Sequence, residues 1–167
     1  TDIPSSWAES QETPTMYTLQ VKDDTQEDGY RERLVLVCAC PNWDKYLGGW
    51  QMSWSDDDGK TWTEFSHYWP KLEEGGSTHY TIVAMASLIQ LKDENGNYKQ
   101  EWMGVYHDYS YVNYKTILTF AEDGTPQWTK PEPMLAEHRD IEWSHQICEI
   151  GLFRSPDGKR IVGLGRN

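Results

Sequence analysis

The sequence predicts an all-β fold built from repeated four-stranded antiparallel units, and three observations predict it. Alternating apolar and polar runs are separated by turns rich in Asp and Gly. Two landmarks recur at nearly one spacing: Asp123 lies 66 residues after Asp57, and Leu152 lies 64 after Leu88. Nine Trp and ten Tyr stand against three Phe, an aromatic load that favours strands and that sugar-binding surfaces also use for stacking.

The first unit reads as strands from about Thr15 to Val21, Arg33 to Cys40, Gly49 to Ser55 and Trp62 to Tyr68, within residues 12–69. The second, within 83–131, repeats it with Met85 to Leu91, Glu101 to Tyr106, Tyr114 to Phe120 and Gln127 to Pro131. Residues 147–167 supply the inner hairpin of a third unit, its turn centred between Asp157 and Gly158. A repeat of about 65 residues with four strands each fits a long blade of a β-propeller, a ring that needs roughly four to eight blades to close. The chain would cover about two and a half blades, so the remaining blades are expected outside it.

Alternating strand direction sorts the loops onto two rims. The turns near Asp23 to Gly29, Asp93 to Gly96 and Pro156 to Gly158 share a rim with the turn after Ser55. The loops Pro41 to Gly48, Ser66 to Val83, His107 to Asn113 and Glu132 to Cys148 gather on the other. Long loops carrying Trp, Tyr, His and acids belong on a functional side.

Composition limits the partners. A hydrophobic fraction of 37% and a charged fraction of 25% are those of a folded globular chain. The net charge of -12 argues against nucleic acid, whose phosphates need a basic footprint. An anionic sugar remains compatible with it, because charges beyond about 8 Å are screened at physiological salt and a few converging arginines can dominate a pocket. Cys38, Cys40 and Cys148 form neither a metal pattern nor an even disulfide set. No apolar run is long enough for a membrane span, and no cofactor motif is present. The acidic runs Asp56-Asp57-Asp58 and Asp23-Asp24 lack the alternating oxygens and closing acid of a calcium loop, so they read as solvated turn acids and no metal site is expected.

Ser55-Asp56-Asp57-Asp58-Gly59-Lys60-Thr61-Trp62 reads S-x-D-x-G-x-T-W. Asp57 can accept backbone N–H groups in a tight turn, and Gly59 can take a positive φ without steric penalty. Ser55 and Thr61 can bond across the neck, while the Trp62 ring anchors the turn on the sheet. The five specified positions resemble the Asp-box of sialidase-like β-propellers. Ala121 to Trp128 is a degenerate copy, with Ala for Ser and the Thr position lost.

In the third hairpin Glu149 and Arg166 are equidistant from the turn centre, so an antiparallel register sets them face to face with Cβ atoms about 5 Å apart. A salt bridge that only pins register is the plain alternative. The segment from Cys148 to Asn167 resembles the sialidase stretch N-E-(five to six residues)-x-D-G-x-L-L-L-x-x-R-N, with Cys for the leading Asn and one extra residue at the turn. Ser6-Trp7-Ala8-Glu9 and Glu12-Thr13-Pro14-Thr15 add to a resemblance to a bacterial branch of sialidase-like Asp-box repeat proteins. That resemblance implies a ring of six blades, a polarising role for Glu149 toward a nucleophilic tyrosine, and a carboxylate-clamping role for Arg166. A tyrosine, with an ordinary pKa near 10, needs such a neighbouring base.

The activity so implied is retaining hydrolysis of a terminal acidic sugar of sialic acid type from a glycan, outside the cytoplasm as a secreted or periplasmic protein. A non-catalytic carbohydrate-binding propeller and a propeller hydrolase or lyase for another uronate-bearing polysaccharide stay open beside it. His107 and Asp108 are candidates for proton handling or sugar contact, against a loop-closing role. Trp143 and His145 are candidates for a stacking wall, against core burial. Arg139 reads as a solvated rim charge.

Overall fold

The computed structural model describes residues 3–9, 12, 14–41, 48–72, 78–135 and 146–167. The fold is all-β with antiparallel sheets and a short 3-10 helix at Ser5–Glu9. The chain divides into two compact units, Thr1–Tyr80 and Thr81–Asn167.

The first unit is a meander of β1 (Thr15–Lys22), β2 (Tyr30–Ala39), β3 (Trp50–Ser55) and β4 (Ser66–Tyr68), hydrogen-bonded in that order. Alternation on β1 buries Leu19 and Val21. The central strands β2 and β3 are buried through Val35 to Ala39 and Trp50 to Ser53. Cys38 and Cys40 are free and buried, as small core residues should be, and burial pushes the Cys40 thiol up to about 12.

The fourth strand is shorter than the sequence suggests: Thr63 still donates its amide to Trp54 of β3, but the backbone then turns to another partner at Phe65. The amide of Phe65 donates to Ser6 Oγ at 2.8 Å. Glu64 in turn accepts from the amides of Ser5 and Ser6 and from the Ser6 hydroxyl. The 3-10 helix thereby lays Trp7 against Trp62 and Phe65, at ring-centre distances of 5.2 and 6.0 Å.

The second unit holds β5 (Thr81–Lys92), β6 (Tyr98–Asp108), β7 (Asn113–Phe120) and β8 (Pro126–Trp128) in sequential order, with β9 (Glu132–Met134) also paired to β7. The single fourth strand expected over 127–131 is therefore two short ones. Thr129 causes the break: its hydroxyl accepts from the Ile117 amide at 2.9 Å while its carbonyl accepts from Thr116 Oγ1 at 2.7 Å. Pro131 then has no N–H to offer the ladder.

The first unit repeats this device. Thr63 Oγ1 accepts from the Trp54 amide at 3.1 Å, and its carbonyl accepts from Ser53 Oγ at 2.6 Å. In both units the Thr amide donates to the carbonyl across, Thr63 to Trp54 and Thr129 to Ile117, each at 3.0 Å. The two units thus share one hydrogen-bond pattern at Thr63 and Thr129.

β10 (Ile150–Arg154) and β11 (Ile161–Gly165) form a two-stranded hairpin inside the second unit. It lies along β5, held by the Leu152 amide donating to Ser87 Oγ at 2.7 Å and by Arg154 Nη2 donating to the Gln90 carbonyl at 2.5 Å. The order of these contacts sets the β10–β11 turn beside the β5–β6 turn. The open end of the hairpin falls beside the β6–β7 turn.

Candidate functional site

The turn from Ser55 to Trp62 closes through its own side chains. Asp57 accepts from the Thr61 amide at 2.9 Å, the Thr61 hydroxyl at 2.7 Å and the Ser55 hydroxyl at 2.8 Å. Ser55 Oγ in turn accepts from the Gly59 amide, and Trp62 Nε1 donates to the Gly59 carbonyl at 3.1 Å. Gly59 has φ +77°. Ser55 and Thr61 meet through Asp57 instead of each other. These bonds, led by those from Thr61, bring the Asp57 carboxyl down to about 2. Every side chain of the motif is committed to the turn, so its role is structural.

Other turns use acids the same way. Asp23 accepts from Thr25, Asp93 from Asn95 and Asn97, Asp123 from Thr125, and Asp157 from Ser155 and Lys159. Much of the acidic excess is thereby invested in local hydrogen bonds. Among the described residues no cluster of His, Cys, Asp and Glu could hold a metal ion, and no helix is long and apolar enough to cross a membrane.

The grouping with unspent chemistry lies at the open end of the β10–β11 hairpin. Ile150 pairs with Gly165, so Glu149 and Arg166 stand opposite each other just beyond the ladder. Arg166 Nε donates to Glu149 Oε2 at 2.5 Å and Nη2 to Oε1 at 3.0 Å, a bidentate fork. The amide of Cys148 donates to the Arg166 carbonyl and the amide of Arg166 to the Glu149 carbonyl, which fixes both backbones. The Arg166 side chain is still 68% exposed, against 28% for Glu149. Arg166 holds the Glu149 carboxyl below its usual range, and Glu149 raises the guanidinium in return.

The β6–β7 turn forms the neighbouring wall. His107 pairs in register with Asn113, and both are buried. Asn113 Nδ2 donates to the Ile147 carbonyl at 3.0 Å, joining this wall to the hairpin. Tyr111 has φ +58° and stacks on His107 with ring centres 5.8 Å apart. His107 adds to the field that lowers Glu149, and Tyr111 to the field that raises Arg166. His107 Nε2 and Asn113 Oδ1 are both buried with no hydrogen-bond partner among the described residues.

His107 and Asp108 do not form a side-chain relay. His107 Nδ1 contacts the main-chain carbonyl of Asp108 at 2.9 Å, and a carbonyl can only accept, so the proton sits on Nδ1. The Asp108 carboxylate instead accepts from the amides of Ser110 and Val112 and closes the turn. Its other oxygen is 3.4 Å from the Tyr114 hydroxyl. Trp143, His145 and Arg139 lie outside the described residues.

Sequence reasoning missed Tyr111 and Asn113. Both sit in the loop-rich stretch His107 to Asn113, but only the fold shows that Asn113 reaches a carbonyl 34 residues away. Beneath the hairpin, Met103, Met134, Ile147, Ile150, Leu152 and Ile161 line an apolar cavity with no ionisable side chain among the described residues. Comparison with protein-family models, with curated proteins and with solved structures returned no match.

Proposed function

We propose that this chain is part of a sialidase-like, six-bladed β-propeller whose site at the open end of β10–β11 takes the carboxylate of a terminal acidic sugar on a glycan. The observation that carries the reading is Arg166: a guanidinium pre-oriented by a bidentate carboxylate, yet 68% exposed. An incoming carboxylate can use the exposed guanidinium donors without first ordering a flexible side chain. The repeated Thr hydrogen-bond pattern and the Asp-box support the blade architecture. So does the third hairpin: an isolated two-stranded ribbon is marginal in water, and this one leaves Phe153 and Leu164 exposed for further strands to cover.

In the hydrolytic form of the reading, substrate draws Arg166 toward its own carboxylate and loosens the fork. Glu149 then becomes available as the base that polarises an attacking tyrosine. The tyrosine oxygen bonds the anomeric carbon and its proton passes to Glu149 as the glycosidic bond breaks and the aglycone leaves as an alcohol, protonated by a general acid of another blade. Water then displaces the tyrosine, which regains its proton, the retaining course that sets sialidases apart from two-carboxylate glycosidases.

One observation favours a second reading, carbohydrate binding without catalysis. Both Glu149 oxygens are occupied by Arg166, and the lowered carboxyl is a poor base while the fork holds.

Turnover of a fluorogenic sialoside, with titration calorimetry of the free acidic sugar, tests both. Under the hydrolase reading Glu149→Gln lowers kcat more than about tenfold, while Arg166→Ala mainly raises KM. Binding without turnover that disappears in Arg166→Ala selects the binding reading. Activity or affinity unchanged in both variants removes the pair from the site.

A further inference from the structure

We propose that the groove between the β5–β6 and β10–β11 turns, at the other end of the second unit from Arg166, binds a singly charged oxyanion, a sulfate ester or a carboxylate, carried on a glycan. Lys92, Arg154 and Lys159 line it together with Asp93 and Glu94. That lining has one net positive charge, in a chain whose net charge is -12.

None of the three cations has an ion-pair partner among the described residues, although six other Lys and Arg side chains pair with local acids and Arg166 with Glu149. Two nearby carboxylates are spent elsewhere, and the third, Glu94, forms no ion pair with these cations. Asp93 holds its own turn through Asn95 and Asn97, and Asp157 holds the facing turn through Ser155 and the Lys159 amide.

The cations are also positioned. Lys92 Nζ lies 4.7 Å from the centre of the Tyr98 ring, and Arg154 Cζ lies 5.7 Å from the same centre. Arg154 is braced by the Gln90 carbonyl at 2.5 Å and, at 3.5 Å, by the Gly158 carbonyl, which leaves three of its five guanidinium N–H groups for a ligand. Gly158 makes room for Lys92: an added Cβ would stand 3.3 Å from its Nζ. Two cations drawn onto one ring without a carboxylate between them suit an oxyanion that accepts from both.

One net positive charge matches a monoanion better than a polyphosphate. Tyr98 argues for a sugar carrier, because the residue remains 60% exposed beside the two cations and so leaves aromatic surface for a pyranose to pack against.

Titration calorimetry with a sulfated oligosaccharide, a uronate oligosaccharide, a neutral oligosaccharide of equal length and inorganic sulfate tests the site. At least one charged oligosaccharide binds, more weakly as salt rises, and the neutral one does not; the sulfated and uronate arms identify the anion. Combining Lys92→Ser with Arg154→Gln weakens binding at least about tenfold, the loss expected with a charge-assisted hydrogen bond. Lys92→Ser alone removes no backbone contact and gives a partial loss if Arg154→Gln unsettles the hairpin. Arg166→Ala leaves this binding intact, which separates it from the acidic-sugar site.

Equal binding of the neutral sugar, unchanged affinity in folded variants, loss in Arg166→Ala alone, or no binding at millimolar concentration overturns the proposal. Inorganic sulfate binding as tightly as the sulfated oligosaccharide overturns the glycan carrier.

Discussion

Asn113 at the start of β7 donates its side-chain amide to the main-chain carbonyl of Ile147, 3.0 Å away, and so fastens the open end of the hairpin that carries Glu149 and Arg166. Removing a buried partner of this kind costs about 1–3 kcal/mol. Asn113→Ala is therefore expected to destabilise the second unit by that amount and to speed hydrogen exchange at the amides of Cys148 and Arg166. The amide of Leu152, bonded separately to Ser87, should stay protected. Equal acceleration at all three would show that the Asn113 bond does not act locally.

The Glu149–Arg166 fork carries a pH dependence of definite sign. Arg166 lowers the carboxyl of Glu149 from its ordinary 4.5, so the folded state binds that proton less readily than the unfolded chain. The contribution is present above the unfolded value and fades as pH falls through the lowered one. Solvent screening keeps it small at this exposed end. Arg166→Ala should return the Glu149 carboxyl toward 4.5 in a carbon-detected titration. A midpoint that does not move would mean that Arg166 is not the source of the shift.

Local chemistry was readable and long-range chemistry was not. The Ser55–Trp62 turn could be anticipated as a self-contained unit because Ser55, Asp57, Gly59, Thr61 and Trp62 satisfy one another within eight residues. The routing of Ser55 and Thr61 through Asp57, and the Trp62 bond to Gly59, are visible only in the fold. Glu149 could be set opposite Arg166 by counting outward from the turn, since a regular antiparallel hairpin preserves register. That counting fails on β5. The ladder slips between Ile82 and Ser87, where Val83 and Met85 take φ of 44° and 54°, so the two-residue period does not reveal that the strand starts at Thr81. Tyr111 and Asn113 escaped for another reason: Tyr111 folds back over His107 within the β6–β7 turn, Asn113 reaches Ile147 ahead of β10, and no strand-spacing rule carries either contact.

Asp56 is the counter-ion of an arginine inside the first unit. Arg33 is 1% exposed and donates Nε and Nη2 to the two Asp56 oxygens, each at 2.7 Å. Taking the acid away strands a buried cation, whereas replacing the arginine with an apolar side chain of similar volume removes the desolvation cost as well. Asp56→Asn is expected to cost about 3 kcal/mol, and Arg33→Met clearly less. Urea unfolding curves of the two variants check the order. Equal losses would mean that Arg33 contributes mainly by packing over Trp54, whose ring centre lies 5.7 Å from Cζ.

Gly49 and Gly59 both have positive φ, +61° and +77°, but they should respond very differently to alanine. At Gly59 the nearest heavy atom to an added Cβ is Leu34 Cδ1 at 3.5 Å, an ordinary contact. Only the left-handed backbone is penalised there, by about 1–2 kcal/mol. At Gly49 the same Cβ would stand 2.0 Å from the Tyr68 carbonyl oxygen and 2.7 Å from the Trp69 carbonyl carbon. Neither can retreat freely, because the Gly49 amide and carbonyl are bonded to the His79 carbonyl and the Cys40 amide. Overlap adds about 1–3 kcal/mol to the backbone term. Gly49→Ala should therefore lower the unfolding midpoint of the first unit at least twice as far as Gly59→Ala. Gly29→Ala, with φ +76° and open space around it, should match Gly59→Ala, and a Gly49 effect no larger than these two would overturn the assigned clash.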